Sequence, residues 1–85
     1  VFTISTHQPF RVPAKYLDSL PAGTAEIHSS VRYVDQSLSR FFATARQQPW
    51  FDQTLFIITG DHTPSERAPD YDTFLGRFMV PLLLY

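Results

Sequence analysis

Apolar and polar side chains alternate over Phe2-Thr3-Ile4-Ser5-Thr6, with β-branched residues among them, which predicts a short strand ending near His7. Pro9 and Pro13 then break regular structure. Beyond Pro21-Ala22-Gly23, apolar residues recur at Ile27, Val31, Val34, Leu38, Phe41, Phe42 and Ala45. Steps of three and four put them on one face of a helix, with Glu26, Arg32, Asp35, Ser39, Arg40 and Arg46 mostly off that stripe. Pro49 cannot continue the helix, so it should stop near Gln48.

Residues 54–59, Thr-Leu-Phe-Ile-Ile-Thr, hold four consecutive apolar side chains, as a parallel strand covered on both faces would. The run ends at Gly60-Asp61-His62. Residues 63–78 carry two prolines and charges of mixed sign and read as a loop. Residues 80–85 form a third strand candidate, with Pro81 near its start, where a missing N–H costs least. Strand, helix and strand in that order predict a βαβ unit with parallel strands and a right-handed crossover, hence an α/β fold. His7 and Asp61-His62 would then share the C-terminal sheet edge, where open α/β sheets form ligand crevices.

Length confines this reading to one small domain or part of one, since 85 residues fall below the usual domain size. A chain that is 44% hydrophobic and 18% charged buries enough apolar surface to leave the solvated coil. Its net charge of -1 gives no basic footprint for nucleic acid. No apolar run approaches the roughly 20 residues of a spanning helix. The absence of cysteine removes disulfides, thiolate nucleophiles and Cys-based metal sites. Val1 opens the chain without an initiator Met and residues 80–85 close it inside an apolar run, so it reads as an excerpt from a longer polypeptide.

Gly60-Asp61-His62 is the sharpest chemical feature. A carboxylate beside an imidazole supplies the oxygen and nitrogen donors that divalent Zn, Mn or Mg take. Adjacent strand residues point to opposite faces, so both can face one ion only where the backbone leaves strand geometry, which Gly60 permits. The competing reading has Asp61 capping a turn and His62 solvated. Asp70 and Asp72 lack the Gly and distal Glu of a calcium loop and read as solvated. Trp50, Phe51 and Phe56 read as core rather than a stacking platform. Ser37 and Ser39 have no adjacent base, and His28 has no assigned role.

Three blocks together resemble a family. Ser5-Thr6-His7-Gln8-Pro9-Phe10, then the twelve residues from Val31-Arg32-Tyr33 to Phe41-Phe42, then the run from Trp50-Phe51-Asp52 to Gly60-Asp61-His62-Thr63 are similar to consecutive parts of the sulfatase-like phosphoglycerol transferases. That group includes the lipoteichoic acid synthases and belongs to the alkaline phosphatase superfamily. The resemblance implies that residues 1–85 are a C-terminal piece of one catalytic domain with an alkaline-phosphatase-like parallel sheet. It also implies that Asp61 and His62 ligate a divalent metal, Mn, Mg, Zn or Ca. His7 would contact the phosphoryl group and assist the leaving oxygen, as both a catalytic and a substrate-binding residue. Substrates would be phosphate or sulfate esters, and the parent would be membrane-anchored with this domain periplasmic or extracellular. The family's Thr or Ser nucleophile and a further acidic ligand lie upstream of any residue here, so the isolated piece should be inactive. Thr63-Pro64 replaces the Gly that follows Asp-His in the family, a departure in the next loop.

Two functions therefore stand side by side. One is part of a metal-dependent ester hydrolase or transferase, completed by the remainder of the parent domain. The other is a non-catalytic α/β binding or assembly module in which Asp61 and His62 are structural. In either case three strands and one main helix leave a sheet face to be covered, by the parent or by a second copy.

Overall fold

The computed structural model describes residues 1–17, 26–63 and 69–85. They fall into two compact units, Val1–Phe51 and Asp52–Tyr85.

In the first unit, α1 (Ala14–Leu17) is one helical turn and α2 (Glu26–Ala45) is the long helix. Pro13 starts α1, its carbonyl accepting the Tyr16 N–H at 2.9 Å. Proline suits a helix start because its fixed φ is already helical and the missing N–H has no partner there. Glu26 places a carboxylate in the first turn of α2, where it meets the positive end of the helix dipole. The helix ends in tightened turns: Gln47 N–H donates to the Thr44 carbonyl at 3.1 Å and Gln48 N–H to the Ala45 carbonyl at 2.9 Å. Pro49 follows and blocks any continuation.

The face that α2 buries differs from the apolar stripe by one step. Ala45 is buried and Ile27, Val34, Leu38 and Phe42 are half-buried, but Val31 and Phe41 stand exposed. Ser30 takes the inward place instead, at 0% exposure. Its hydroxyl donates to the Ile27 carbonyl at 2.8 Å, which removes the cost of burying an unpaired polar group.

The second unit is built on a two-stranded antiparallel sheet of β1 (Ile57–Thr59) and β2 (Leu82–Leu84). Ile57 faces Leu84, Ile58 faces Leu83 and Thr59 faces Leu82. Phe56 and Tyr85 extend the ladder by exchanging N–H···O bonds of 2.8 and 3.0 Å, and their rings meet at 6.5 Å. At the other end Thr59 Oγ1 donates to the Pro81 carbonyl at 3.0 Å. Two 3-10 turns, Pro69–Tyr71 and Gly76–Phe78, lie between the strands in sequence.

This architecture corrects the α/β expectation. The sheet is a small antiparallel pair accompanied by two helices, and no βαβ unit or parallel alkaline-phosphatase-like sheet forms among the described residues. Parallel neighbours need a long crossover, usually helical. Between β1 and β2 the described connection holds only three-residue 3-10 turns, and the chain returns antiparallel. Residues 2–6 are not a strand: they run into turns in which His7 N–H donates to the Ile4 carbonyl at 3.1 Å. With no strand at residues 2–6, parallel strands do not carry His7 and Asp61-His62 to a common sheet edge. Nor is β1 covered on both faces, since Ile57 and Thr59 are exposed and Ile58 is half-buried. Part of the expected loop, residues 64–68, lies outside the described residues. No helix among the described residues is long and apolar enough to cross a membrane.

Candidate functional site

Asp61 and His62 follow β1 directly. Gly60 leads into them with Val80 Cγ1 3.4 Å from where its Cβ would stand, so the chain passes close to the start of the β2 segment. Asp61 Oδ1 accepts the His62 N–H at 3.0 Å, which folds the carboxylate over the following peptide. The Asp61 Oδ2 atom then lies 3.7 Å from His62 Nε2. The imidazole is held from its other side, with Nδ1 2.8 Å from the Thr63 carbonyl oxygen. A carbonyl can only accept, so the contact has Nδ1 as its donor and turns Nε2 toward Asp61. A backbone oxygen on the far nitrogen is the arrangement by which metal-ligating histidines are oriented.

The Nε2 atom and the carboxylate oxygen face each other at a separation that either a shared proton or a cation can bridge. Donors on one tetrahedral ion, with bonds of about 2.0–2.2 Å, stand roughly 3.4 Å apart. The observed 3.7 Å is close to that separation. Both side chains are open to solvent, and the adjacent Thr63 Oγ1 is buried without a hydrogen-bond partner. The donor chemistry fits a divalent ion, but it supplies half a site: no group of three or more His, Asp, Glu or Cys able to hold a metal occurs among the described residues.

Backbone bonding fixes this loop to the rest of its unit. Thr63 N–H donates to the Arg77 carbonyl at 2.8 Å, tying it to the turn at Gly76–Phe78. That turn depends on Gly76, which is buried and whose N–H donates to Thr73 Oγ1 at 2.9 Å. A Cβ on Gly76 would come within 2.6 Å of the Asp70 carbonyl oxygen and 2.8 Å of Tyr71 Cα.

His7 sits in the first unit, in the turn that follows residues 1–4. Its carbonyl accepts the Phe10 N–H at 2.8 Å across a cis Gln8-Pro9 peptide, with Phe10 at φ 55. Its Nδ1 lies 2.7 Å from the Gln8 carbonyl oxygen, which can only accept, so Nδ1 is the donor of this contact. A groove of about 400 Å³ opens here, lined by Ile4, Ser5, His7, Gln8, Pro9 and Arg11. An imidazole and a guanidinium on one groove suit an anionic ester group.

The remaining candidates are structural. Asp70 and Asp72 are exposed, and Asp72 N–H closes the Pro69–Tyr71 turn by donating to the Pro69 carbonyl at 3.0 Å. Ser37 Oγ donates to the Tyr33 carbonyl at 2.8 Å, a back-bond within α2. Phe51 and Phe56 are half-buried, while Trp50 is exposed. One cluster escaped the sequence reading: Tyr16 on α1 packs its ring against Tyr33 at 5.2 Å, with Lys15 Nζ at 4.9 Å and Arg40 Cζ at 5.3 Å from its ring centroid. The hydrogen bond and charge of Lys15, and after them Arg40, hold the Tyr16 phenol below its ordinary value of 10.0. The seven-residue spacing that puts Tyr33 and Arg40 on one face of α2 was the available signal; the link to Tyr16 crosses a helix connection and has no periodicity.

A family model described as Sulfatase matches residues 1–85. No solved structure matches the chain.

Proposed function

Since the chain belongs to the sulfatase family, we propose that it is an assembly segment of a sulfatase-type domain, non-catalytic by itself, in which Asp61 and His62 shape the loop after β1. The observation that carries this reading is the state of its apolar side chains. Among the described residues Ala45 is the one buried hydrophobic, while Leu82, Leu83 and Leu84 stand 62%, 57% and 64% exposed. Exposed apolar surface on this scale marks a face that other protein covers. The remainder of a sulfatase-type catalytic domain is the partner that family membership favours, with self-association through the same ribbon as the substitute when that partner is lacking.

A specific observation favours a second reading beside it. The 3.7 Å approach of Asp61 Oδ2 to His62 Nε2 would let the pair hold a divalent ion once further ligands are supplied. Such an ion polarises an ester oxygen and lowers the pKa of a nucleophile. Within this chain, the Thr63 carbonyl would orient the His62 ring, and His7 would contact the phosphoryl group and assist the leaving oxygen. The substrates in this reading are phosphate or sulfate esters, of the kind that phosphoglycerol transferases take. Placement outside the cytoplasm on a membrane-anchored parent belongs to that same reading.

The two readings are separated by one pair of measurements. The 85-residue chain is assayed with p-nitrophenyl sulfate and p-nitrophenyl phosphate in the presence of Mn, and its state is followed by size exclusion and binding of an apolar dye. The assembly reading expects no turnover above Mn alone, together with dye binding and self-association. Turnover that disappears in Asp61→Asn would overturn it in favour of the metal-dependent enzyme. A monomer that melts cooperatively without binding dye would show that nothing needs to cover the ribbon.

A further inference from the structure

Lys15, Tyr16 and Arg40 form a second cluster of charged and polar groups, all within the first unit and apart from both His7 and the Asp61-His62 loop. Lys15 and Tyr16 come from α1, and Arg40 comes from α2, one face of which also carries Tyr33 seven residues earlier. Tyr33 packs against the Tyr16 ring at 5.2 Å between centroids and a tilt of 43°. The ammonium and the guanidinium lie 4.9 and 5.3 Å from the centroid of that one ring. Both remain exposed to solvent. Among the described residues neither meets a carboxylate; the shared partner is Tyr16.

Two like charges converging on one phenol repel each other, and the aromatic face offsets this only in part. The remaining deficit is one of negative charge. A group with several acceptor oxygens would answer it, because ammonium and guanidinium donate only. We propose that Lys15, Tyr16 and Arg40 form a binding site for a tetrahedral oxyanion, a phosphate or sulfate group either free or carried on an ester such as a lipid headgroup. Arg40 supplies a planar fork and Lys15 a point charge, and the Tyr16 ring is the surface that gathers the two. The site is independent of the assembly reading above, and it stands or falls without reference to Asp61.

The test follows the Tyr16 ring resonances of the 85-residue chain by NMR during titration with inorganic phosphate, against sodium chloride at equal ionic strength. A saturable shift with phosphate and none with chloride is expected. Lys15→Met and Arg40→Met should each weaken the phosphate response about tenfold, the usual effect of losing one charge-assisted hydrogen bond. Lys15→Arg should restore it. Far-UV circular dichroism checks that α2 persists, and Lys15→Met lies outside α2, so it remains informative should Arg40→Met unfold. Vesicles of phosphatidylglycerol, compared with phosphatidylcholine and competed by inorganic phosphate, separate the sources. Competed binding to the anionic vesicles assigns the headgroup, and phosphate binding without it assigns a soluble oxyanion; both uphold the site. An equal response to chloride, or an unchanged response in the Lys15→Met, Arg40→Met double variant, overturns it.

Discussion

His62 Nε2 stands 3.7 Å from Asp61 Oδ2 while the opposite ring nitrogen is committed to the Thr63 carbonyl at 2.8 Å. The two residues are thus posed with their free donors toward the same small volume. Asp61 Oδ1 holds the His62 N–H locally, and the Thr63 N–H bond to the Arg77 carbonyl anchors the loop that carries both.

Such a pair should bind a divalent ion weakly. At a metal concentration equal to the dissociation constant, the gain in stability is only about 0.4 kcal/mol. Titration with Mn should broaden the NMR signals of residues 61–63 first, at millimolar rather than micromolar metal, and Asp61→Asn should abolish that selectivity. Micromolar affinity would reveal ligands beyond the described residues; broadening centred elsewhere would show that the pair holds no ion.

Two glycines of the second unit should respond in opposite ways to the same change. Gly76→Ala drives a methyl to 2.6 Å from the Asp70 carbonyl and should cost about 1–3 kcal/mol, as overpacking does. Gly60→Ala meets only Val80, at 3.4 Å and beyond, and should leave stability nearly unchanged. Denaturant melts followed by Trp50 and tyrosine emission, with hydrogen exchange at the Thr63 N–H, would report both.

Ser30 on α2 tests the inward face directly. Ser30→Ala removes one back-bond but gains helix propensity, and should change stability by no more than about 0.5–1 kcal/mol. Ser30→Leu adds volume at a position with 0% exposure and should destabilise by about 1–3 kcal/mol. Thermal melts at 222 nm distinguish them, and equal melts for the two variants would mean that the surroundings of Ser30 yield freely.

Tyr16 carries a pH signature. Lys15, then Arg40, lowers the phenol's pKa in the folded chain, so the ionised form is favoured there relative to the unfolded chain. Its contribution to stability is present above the unfolded phenol's value of 10.0 and is lost as pH falls through the lowered folded value. Absorbance at 295 nm should show one of the four tyrosines titrating early, moving upward in Lys15→Met and by less in Arg40→Met. Four coincident titrations would contradict this.

The parts of the chain with local causes could be read in advance. The 3.6-residue repeat and Pro49 located α2, and the apolar runs located β1 and β2 to within a few residues. What failed was pairing. Four consecutive apolar residues at 55–58 say that a strand is present, but its direction relative to a neighbour depends on the connection, and the 3-10 turns of that connection lack any repeat. Residues 2–6 have the alternation of a strand, yet a strand exists only where a partner accepts its hydrogen bonds, and none does among the described residues. The Asp61-His62 couple was visible because its geometry is set by neighbours in sequence. Ser30 was not, since a serine on the buried track is specified by packing alone.

The exchange of hydrogen bonds between Phe56 and Tyr85 fixes the direction in which anything attached after Tyr85 departs. Three strand residues, Ile57–Thr59, at about 3.4 Å each, lie between that exit and Gly60. A fluorophore or surface tether joined at residue 85 would therefore leave Asp61 and His62 unobstructed, whereas one joined near Val80 would crowd them. Immobilised metal or partner measurements on this chain should be built from its last residue.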